Sequence, residues 1–275
     1  MEYGDIIKSL HIRPIRNLIL HEETIDELTN KLKKVMETSN YFTNPVIVDK
    51  TTNIVLDGVH RVRALDELGY KNIVCQLVDY GSPEIKVKAW YPIIRCGNIG
   101  NLLNSVDVKK TTFASGMKDI KKAKAAFMLA FERGRKKECF LVEPSEKPIK
   151  PKELFAAQKH VLMKFSRRHA IRYIPDEFHE KFLQTLNAVV LYRKCYTKAE
   201  VVDLVKNQRV ILPPKSTRHI ISMRVLGVDI PMSWLNLTPK DAQEKMHIEI
   251  HKRSEAGAIR LYPEPVLVLN DYKLD

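Results

Sequence analysis

The apolar positions of the first hundred residues form short strand-like runs and one longer helical pattern. Within residues 24–36 they recur at helical spacing, at Ile25, Leu28, Leu32 and Val35, with lysines on the opposite face. Thr24, or the acidic pair before it, is the predicted cap of this helix. Apolar runs typical of buried strands lie at residues 11–20, 46–48, 54–56 and 73–78. A run at residues 85–92 fits a strand or a helix, and the whole order predicts a compact α/β unit.

The second half of the chain alternates between helical and strand-like patterns. Residues 97–124 have a mainly helical pattern, and the apolar runs at 125–131 and 138–142 predict a β-hairpin. After a proline-rich linker at residues 144–151, helices are predicted at 153–165, 176–186, 198–206 and 239–253. Strands are predicted at 170–174, 188–192, 259–262 and 266–269. This alternation predicts a second α/β layer structure.

Length and composition fit a soluble protein with two modest domains. The chain has 275 residues, of which 44% are hydrophobic and 29% charged. No run approaches the roughly 18 apolar residues that span a bilayer, and the N-terminus lacks the apolar core of a signal peptide. The four cysteines lie far apart without a CxxC pair, which indicates free thiols rather than a zinc site or disulfides. We therefore expect a cytoplasmic protein with no membrane partner.

The net charge of +13 raises the question of a polyanionic partner. The lysines are spread along the chain, and no basic tail or one-faced arginine stripe stands out. A solvated basic surface is therefore favoured over a nucleic-acid site, and DNA binding is retained as an alternative.

The most informative stretch is residues 53–69, NIVLDGVHRVRALDELG. A short strand ends at Asp57-Gly58, and a helix follows that carries His60 and Arg61 in its first turn. Gly69 is the predicted C-terminal cap. Free backbone N–H groups at a helix N-terminus, with two cationic side chains beside them, are suited to binding phosphate.

Two more polar clusters lie on predicted turns. One is the acidic corner His21-Glu22-Glu23, and the other is the 215–219 loop, Lys215-Ser216-Thr217-Arg218-His219. A carboxylate base, a phosphate-binding turn and a basic, hydroxyl-rich loop are the parts that phosphoryl transfer needs. Taken singly, each cluster is more typical of a helix cap or a surface turn than of a catalytic site. His247 and His251 are one helical turn apart, but HExxH spacing would need the acid at Ile248, so a solvated helix face is favoured.

The segments HEET, NPVIVDK, IVLDGVHRVRALDELG, KAWYP and YTKAEVVDLVKNQRVILPPKSTRH together resemble the free L-serine kinases built on the ParB/sulfiredoxin fold. The resemblance implies a mixed α/β fold, with a ParB/sulfiredoxin-like nucleotide-binding catalytic domain at residues 1–104. A C-terminal α/β domain at residues 105–275 would contribute the serine-binding loop. The implied reaction phosphorylates free L-serine to O-phospho-L-serine with ATP, or ADP, and Mg²⁺, and feeds cysteine or related biosynthesis. ATP is favoured because the tail after His219 resembles the staphylococcal member of the family.

The resemblance also implies roles for particular residues. Glu22 would be the general base, with Asp57 and His60 also in the catalytic set. The nucleotide would be held by Asp57, Gly58, Val59, His60 and Arg61. The amino-acid pocket would consist of Trp90, Lys215, Ser216, Thr217, Arg218 and His219. No residues are assigned to the metal ion. A second acidic residue of the archaeal enzymes aligns with Leu28, so Asp26 or Glu27 would have to take its place.

Three alternatives follow from the same residues. A sulfiredoxin needs a cysteine where Val59 stands, which excludes that activity. A ParB-type DNA-binding protein would carry a GERRxRA turn and a helix-turn-helix; the turn here is DGVHRVRA, and no convincing helix-turn-helix follows. A nucleotide sensor would need only the turn at 57–61 and would leave the other two clusters unexplained. The oligomeric state stays open between a monomer and a homodimer.

Overall fold

The computed structural model describes residues 7–96, 99–133, 136–180, 183 and 188–261. In this part of the chain the strands are β1 (Leu10–Pro14), β2 (Ile19–Leu20), β3 (Tyr41–Phe42), β4 (Val46–Asp49), β5 (Ile54–Asp57), β6 (Asn72–Val78), β7 (Lys86–Lys88), β8 (Trp90–Arg95), β9 (Val108–Thr111), β10 (Ala125–Arg133), β11 (Lys136–Pro144), β12 (Ile171–Pro175), β13 (Ala188–Tyr192), β14 (Arg218–Ile220) and β15 (Ile230–Pro231). The helices are α1 (Asp26–Thr38), α2 (Val59–Glu67), α3 (Gly100–Leu103), α4 (Phe113–Lys121), α5 (Pro151–Ser166), α6 (Lys198–Val202, continued by a π-turn over Asp203–Asn207) and α7 (Pro239–Glu255). None of these helices is both long and apolar enough to cross a membrane.

The first sheet carries the predicted N-terminal strands. Its order is β1-β6-β4-β5-β2, with β4 parallel to β6 and β2 parallel to β5. Val46, Val48 and Val55 are fully buried in it, because β-branched residues fill a sheet interior well. In the turn between β4 and β5, Asn53 adopts φ +59° and its N–H donates to the carbonyl of Asp49.

Helix α1 lies where it was predicted, but only part of its apolar face packs against the core. Thr29 and Met36 are its buried residues, whereas Leu28 is 38% exposed and Val35 62% exposed. The predicted cap is wrong as well. Ile25 is the N-cap residue, and no side chain caps the helix.

The second sheet is antiparallel, with the order β12-β8-β13-β10-β11-β9. The predicted hairpin is confirmed as β10 and β11. The mainly helical expectation for residues 97–124 is wrong at β9, since this strand forms an edge and its Lys109 and Lys110 face solvent. Residues 85–92 span two strands, β7 and the start of β8, rather than one element.

The later elements largely follow the predicted pattern. Helices α5, α6 and α7 and strands β12 and β13 lie where expected. Of the helix predicted over residues 176–186, the structure describes a 3-10 turn at Asp176–Phe178 and helical residues at 179, 180 and 183, and the remainder lies outside the described residues. Residues 259–261 are not in a strand, and the rest of the two final predicted strands lies outside the described part.

The C-terminal segment packs back onto the first sheet. Strand β15 pairs with β3, β14 pairs with β7, and α7 lies against β1. Ile230, Leu235 and Met246 are buried in the same core cluster as the first sheet. The 215–219 loop is thereby drawn to the end of β5, beside α2. The division of the chain at residues 104 and 105 stays a prediction.

Candidate active site

A cavity of about 530 Å³ opens between α1, the β5–α2 turn and the 215–219 loop. Its lining brings together residues from all three polar clusters of the sequence. The lining residues are His21, Glu22, Leu28, Lys31, Leu32, Val35, Leu56, Asp57, Gly58, Val59, His60, Arg61, Trp90, Lys215, Thr217, Arg218, His219 and Arg224.

Glu22 is a buried carboxylate that the 215–219 loop holds in place. Its Oε2 accepts a hydrogen bond from the Lys215 N–H at 3.1 Å, and Oε1 accepts from the Thr217 N–H at 2.5 Å and the Thr217 hydroxyl at 2.7 Å. Burial alone would raise the pKa of Glu22. The nearby His21 ring, whose Nε2 lies 3.6 Å from Oε1, and the Thr217 hydrogen bonds together outweigh burial and hold that pKa below its usual range. Glu22 is therefore ionised at neutral pH, and Oε2, with a single donor, has room for one more proton.

The turn between β5 and α2 depends on Gly58. This residue is the N-cap of α2 with φ +95°, and no side chain caps the helix. A Cβ built on Gly58 would lie 2.6 Å from Val46 Cγ1 and 2.8 Å from Arg61 Nη2. Only glycine fits, and the first N–H groups of α2 stay open toward the cavity.

We expect Gly58→Ala to destabilise the fold as well as the site. The left-handed backbone costs about 1–2 kcal/mol for a residue with a Cβ, and the clash with Val46 adds about 1–3 kcal/mol. Chemical denaturation should show a loss of about 2–5 kcal/mol in the free energy of unfolding. Gly69→Ala is the matched control, because Gly69 has φ +79° but nothing within 4 Å of its added Cβ. Equal losses in both variants would contradict the close packing assigned to Gly58.

Asp57 and two arginines form an ion cluster at the cavity rim. Asp57 Oδ2 lies 2.8 Å from Arg224 Nη1 and 3.0 Å from Arg61 Nη2. Burial would raise the pKa of Asp57, but the charges of Arg224 and then Arg61 hold it below the usual range. Arg61 also donates to the carbonyls of Asn44 and Pro45, at 2.7 and 2.9 Å, so its guanidinium braces the turn. Arg224 makes fewer hydrogen bonds to the protein than Arg61 does, so its guanidinium is more available to a ligand.

His60 links the two helices that flank the cavity. Its Nε2 accepts a hydrogen bond from the Ile25 N–H at 3.0 Å, which connects the first turn of α2 to the N-terminus of α1. Burial lowers the pKa of His60, and the charge of Lys215 lowers it further. At neutral pH His60 is therefore a neutral ring that braces the phosphate-binding turn.

His219 and Ser216 have internal partners. Nε2 of His219 hydrogen-bonds the Tyr80 hydroxyl at 2.8 Å, and burial lowers the pKa of His219 to about 3. The Ser216 hydroxyl donates to the Pro213 carbonyl at 2.7 Å and accepts from the fully buried Arg193 at 2.8 Å. Ser216 does not line the cavity, although the resemblance placed it in the amino-acid pocket, because the chain turns it inward next to Lys215 at φ +59°.

Two cationic side chains of the 215–219 loop lie over the ring of Trp90. Lys215 Nζ lies 5.5 Å and Arg218 Cζ 5.7 Å from the ring centre. Arg218 Nη2 also lies 3.0 Å from Glu177 Oε2 and 3.6 Å from Asp176 Oδ1. Arg218 Nε and Nη2 nevertheless have no hydrogen-bond partner in the described part of the chain. A planar guanidinium is suited to binding a carboxylate, and two carboxylates of the chain already lie beside this one.

The apolar face predicted for α1 forms one wall of the cavity. Leu28, Leu32 and Val35 line it, and this explains why Leu28 and Val35 are exposed. Asp26 and Glu27, the candidates for a second acidic residue, do not line the cavity, and Glu27 pairs with Lys31 at 3.3 Å. An exposed apolar wall opposite a cluster of cations is suited to a ligand with one flat apolar end and one anionic end.

Sequence reasoning missed two groups of site residues. Arg224 lies in an irregular segment without a recognisable pattern, and only its position six residues after Arg218 hinted at the site. Asp176 and Glu177, which face Arg218, come from a segment predicted as an ordinary helix. For the metal ion, the described residues contain no group of three or more His, Cys, Asp or Glu that could form a site.

The two sheets and their helices form a mixed α/β arrangement with a ParB-like fold. No protein-family model matches the chain. The chain is 28% identical over 235 residues to an ATP-dependent L-serine kinase of Staphylothermus marinus, covering 78% of this chain and 88% of the relative. It is 24% identical over 225 residues to the ADP-dependent L-serine kinase of Thermococcus kodakarensis, with the same coverage of 78% and 88%. The predicted resemblance to free L-serine kinases is thus confirmed.

Solved structures confirm the predicted fold. A free serine kinase in complex with AMP superimposes with a TM-score of 0.68 at 22% identity, covering 82% of this chain and 93% of that one. A C-terminally truncated SbnI from Staphylococcus aureus superimposes with a TM-score of 0.67 at 18% identity, covering 91% and 99%. At these identities the two structures establish a shared fold.

Proposed function

We propose that this protein is a nucleotide-dependent kinase that phosphorylates free L-serine to O-phospho-L-serine. The observation that carries the proposal is the buried, ionised Glu22, which faces a cavity lined by cations. Relatives that carry this activity by name support it. In the reaction, Glu22 Oε2 takes the proton of the serine hydroxyl while the serine oxygen bonds to the terminal phosphorus. The bond from that phosphorus to the leaving nucleotide oxygen breaks, and the shorter nucleotide departs.

The nucleotide phosphates belong at the open N-terminus of α2. Gly58 and the first residues of α2 line this end of the cavity together with Arg224, and no side chain caps the helix. Arg61 supports phosphate binding indirectly: its guanidinium is already bonded to Asp57 and to two backbone carbonyls, and it thereby holds the turn in place. Positioned N–H groups and cations stabilise the charge of the transferring phosphoryl group without reorganising during the reaction.

The carboxylate of serine belongs on Arg218. Its planar guanidinium, which lies against the Trp90 ring, suits the carboxylate of a small zwitterion, and Asp176 and Glu177 give the serine ammonium group an acidic partner. Bound this way, serine replaces the ion pairs that Arg218 makes with Asp176 and Glu177 by ion pairs with its own charged groups. Its hydroxyl is left to point toward Glu22.

Mg²⁺ fits this site as an ion carried mainly by phosphate oxygens. Asp57 Oδ1 receives no hydrogen bond or ion pair from the described residues, so this oxygen is free to bind the ion directly or through water. The metal, when bound, would neutralise charge on the phosphates. Few protein ligands are usual for Mg²⁺ in phosphoryl transfer.

The nucleobase belongs against the apolar wall of α1. Leu28→Asn should raise the nucleotide KM about tenfold, as expected when part of a leucine contact worth about 1.5–3 kcal/mol is lost, and should leave the serine KM unchanged. Ile248→Asn is the matched control, since Ile248 is 50% exposed on α7 and outside the cavity. Steady-state kinetics with each substrate varied would decide. An unchanged nucleotide KM would place the base elsewhere.

The donor, the metabolic role and the location complete the proposal. We favour ATP over ADP as the donor, a product that feeds cysteine or related biosynthesis, and a cytoplasmic location. The relatives include enzymes named for each donor, so the choice of donor needs a direct measurement.

The test is to incubate the protein with Mg²⁺, L-serine and either ATP or ADP and to detect phosphoserine by mass spectrometry. We expect phosphoserine with at least one donor, more with ATP, and none without serine. No product with either donor, together with a salt-sensitive shift of a DNA fragment, would favour the ParB-like DNA-binding alternative.

A further inference from the structure

His21 lies directly behind the proposed base. It is buried, 2% exposed, and its Nδ1 lies 2.5 Å from the carbonyl oxygen of Val55 on β5. A carbonyl oxygen only accepts hydrogen bonds, so Nδ1 carries a hydrogen. The groups around Nε2 then decide whether that second ring nitrogen also carries a hydrogen.

The Thr217 hydroxyl connects His21 to Glu22. Its oxygen lies 2.8 Å from His21 Nε2 and 2.7 Å from Glu22 Oε1. The hydroxyl has one hydrogen and can donate it to only one of these atoms. If it donates to Glu22, Nε2–H can donate to the hydroxyl, and Glu22 has three donors. If it donates to a bare Nε2, Glu22 keeps only the two backbone donors.

We propose that His21 is a positioning residue that acts through the Thr217 hydroxyl to keep Glu22 ionised, with Oε2 directed at the substrate hydroxyl. The inference rests on the proposed kinase function, because that function makes Glu22 the base. With Thr217 fixed by His21, both of its donors meet Oε1. The open lone pair of the carboxylate then lies on Oε2.

Other titratable groups also face Glu22. They are His60, Tyr173, Arg193, Lys215 and His219. The His219 ring lies 5.1 Å from the His21 ring, but its Nε2 is bonded to Tyr80 and is unavailable to Thr217. Arg193 donates to Gln158 and Ser216 rather than to Glu22. Among the described residues, His21 is the titratable group that hydrogen-bonds the hydroxyl on Glu22.

Two matched pairs of variants separate this role from simple packing. His21→Asn keeps a donor where Nδ1 stands and removes the one at Nε2, whereas His21→Gln does the reverse. Thr217→Val removes the hydroxyl at nearly constant shape, and Thr217→Ser keeps it. Thermal melts would show that each variant folds. If His21→Asn does not fold, the threonine pair carries the test.

The measurement is the titration of the Glu22 carboxyl by ¹³C NMR, with its signal assigned by its loss in Glu22→Gln. We expect the pKa of Glu22 to rise by about one unit in His21→Asn and Thr217→Val, the size of one hydrogen bond to a charged group. His21→Gln and Thr217→Ser should titrate close to wild type. The kcat for phosphoserine should fall about tenfold further in His21→Asn than in His21→Gln, and about tenfold further in Thr217→Val than in Thr217→Ser, following the loss of that hydrogen bond.

Two outcomes would overturn the proposal. One is a Glu22 titration that is the same in all four variants as in wild type, with kcat also unchanged. The other is the same unmoved titration with an equal loss of kcat in all four variants. The NMR readout needs no turnover. If wild type makes no phosphoserine but the titration shifts as expected, the kinase function fails and the coupling of His21 to Glu22 stands.

Discussion

Glu22→Gln is expected to lower the kcat for phosphoserine by roughly 10²- to 10⁴-fold, the usual contribution of a general base. The glutamine oxygen can still accept from Thr217, so the 215–219 loop should keep its place, while the amide cannot take a proton. The nucleotide Kd, measured by calorimetry, should stay within about threefold, since Glu22 does not contact the proposed phosphate site. Glu22→Ala should be at least as slow and should also loosen the loop.

The neighbouring acid provides the control. Glu23 lies at the same corner but pairs with Lys159, at 2.8 Å, on the outside of the protein. Glu23→Gln should therefore keep wild-type kcat. Turnover near wild type in both Glu22 variants would remove Glu22 as the base.

Arg218→Ala is expected to raise the serine KM by roughly 30- to 4,000-fold, the effect of removing one partner of a desolvated charge pair worth about 2–5 kcal/mol. The nucleotide KM should change far less. Arg218→Lys should recover only part of the loss, because an ammonium group cannot bind both carboxylate oxygens in a planar fork. Steady-state kinetics with each substrate varied would measure the split.

Arg224→Ala is the mirror control for Arg218. Arg224 lies beside Asp57 and the start of α2, so its loss should raise the nucleotide KM more than the serine KM. Equal effects on both substrates in the Arg218 variant would argue against a carboxylate contact there.

The sequence predicts the three polar clusters of the site because each lies where a strand or helix ends. The acidic corner with Glu22, the turn at Asp57-Gly58 and the 215–219 loop are visible as breaks in the apolar pattern. The structure brings all three to one cavity. Their meeting depends on pairings far apart in sequence, such as the isolated bridge between Glu22 and Leu212, which periodicity does not reveal.

Other features were beyond sequence reasoning for physical reasons. Helical spacing shows that Leu28, Leu32 and Val35 share a face of α1, but it does not show whether that face meets the core or a cavity. The edge strand β9 carries two solvated lysines and so resembles a polar helix segment. The hydrogen bond from His21 to Thr217 joins residues 196 positions apart. Local pattern carries no information about such a contact.

The most direct test of the account follows the phosphoryl group itself by ³¹P NMR, with wild type and Glu22→Gln side by side. The protein is mixed with Mg²⁺, L-serine and ATP. We predict that the γ-phosphate signal falls as a phosphomonoester signal of phosphoserine rises in equal amount, and that neither signal changes in Glu22→Gln on the same timescale. Loss of the γ-phosphate to inorganic phosphate alone, or no change in wild type with either ATP or ADP, would contradict the assignment of this cavity to serine phosphorylation.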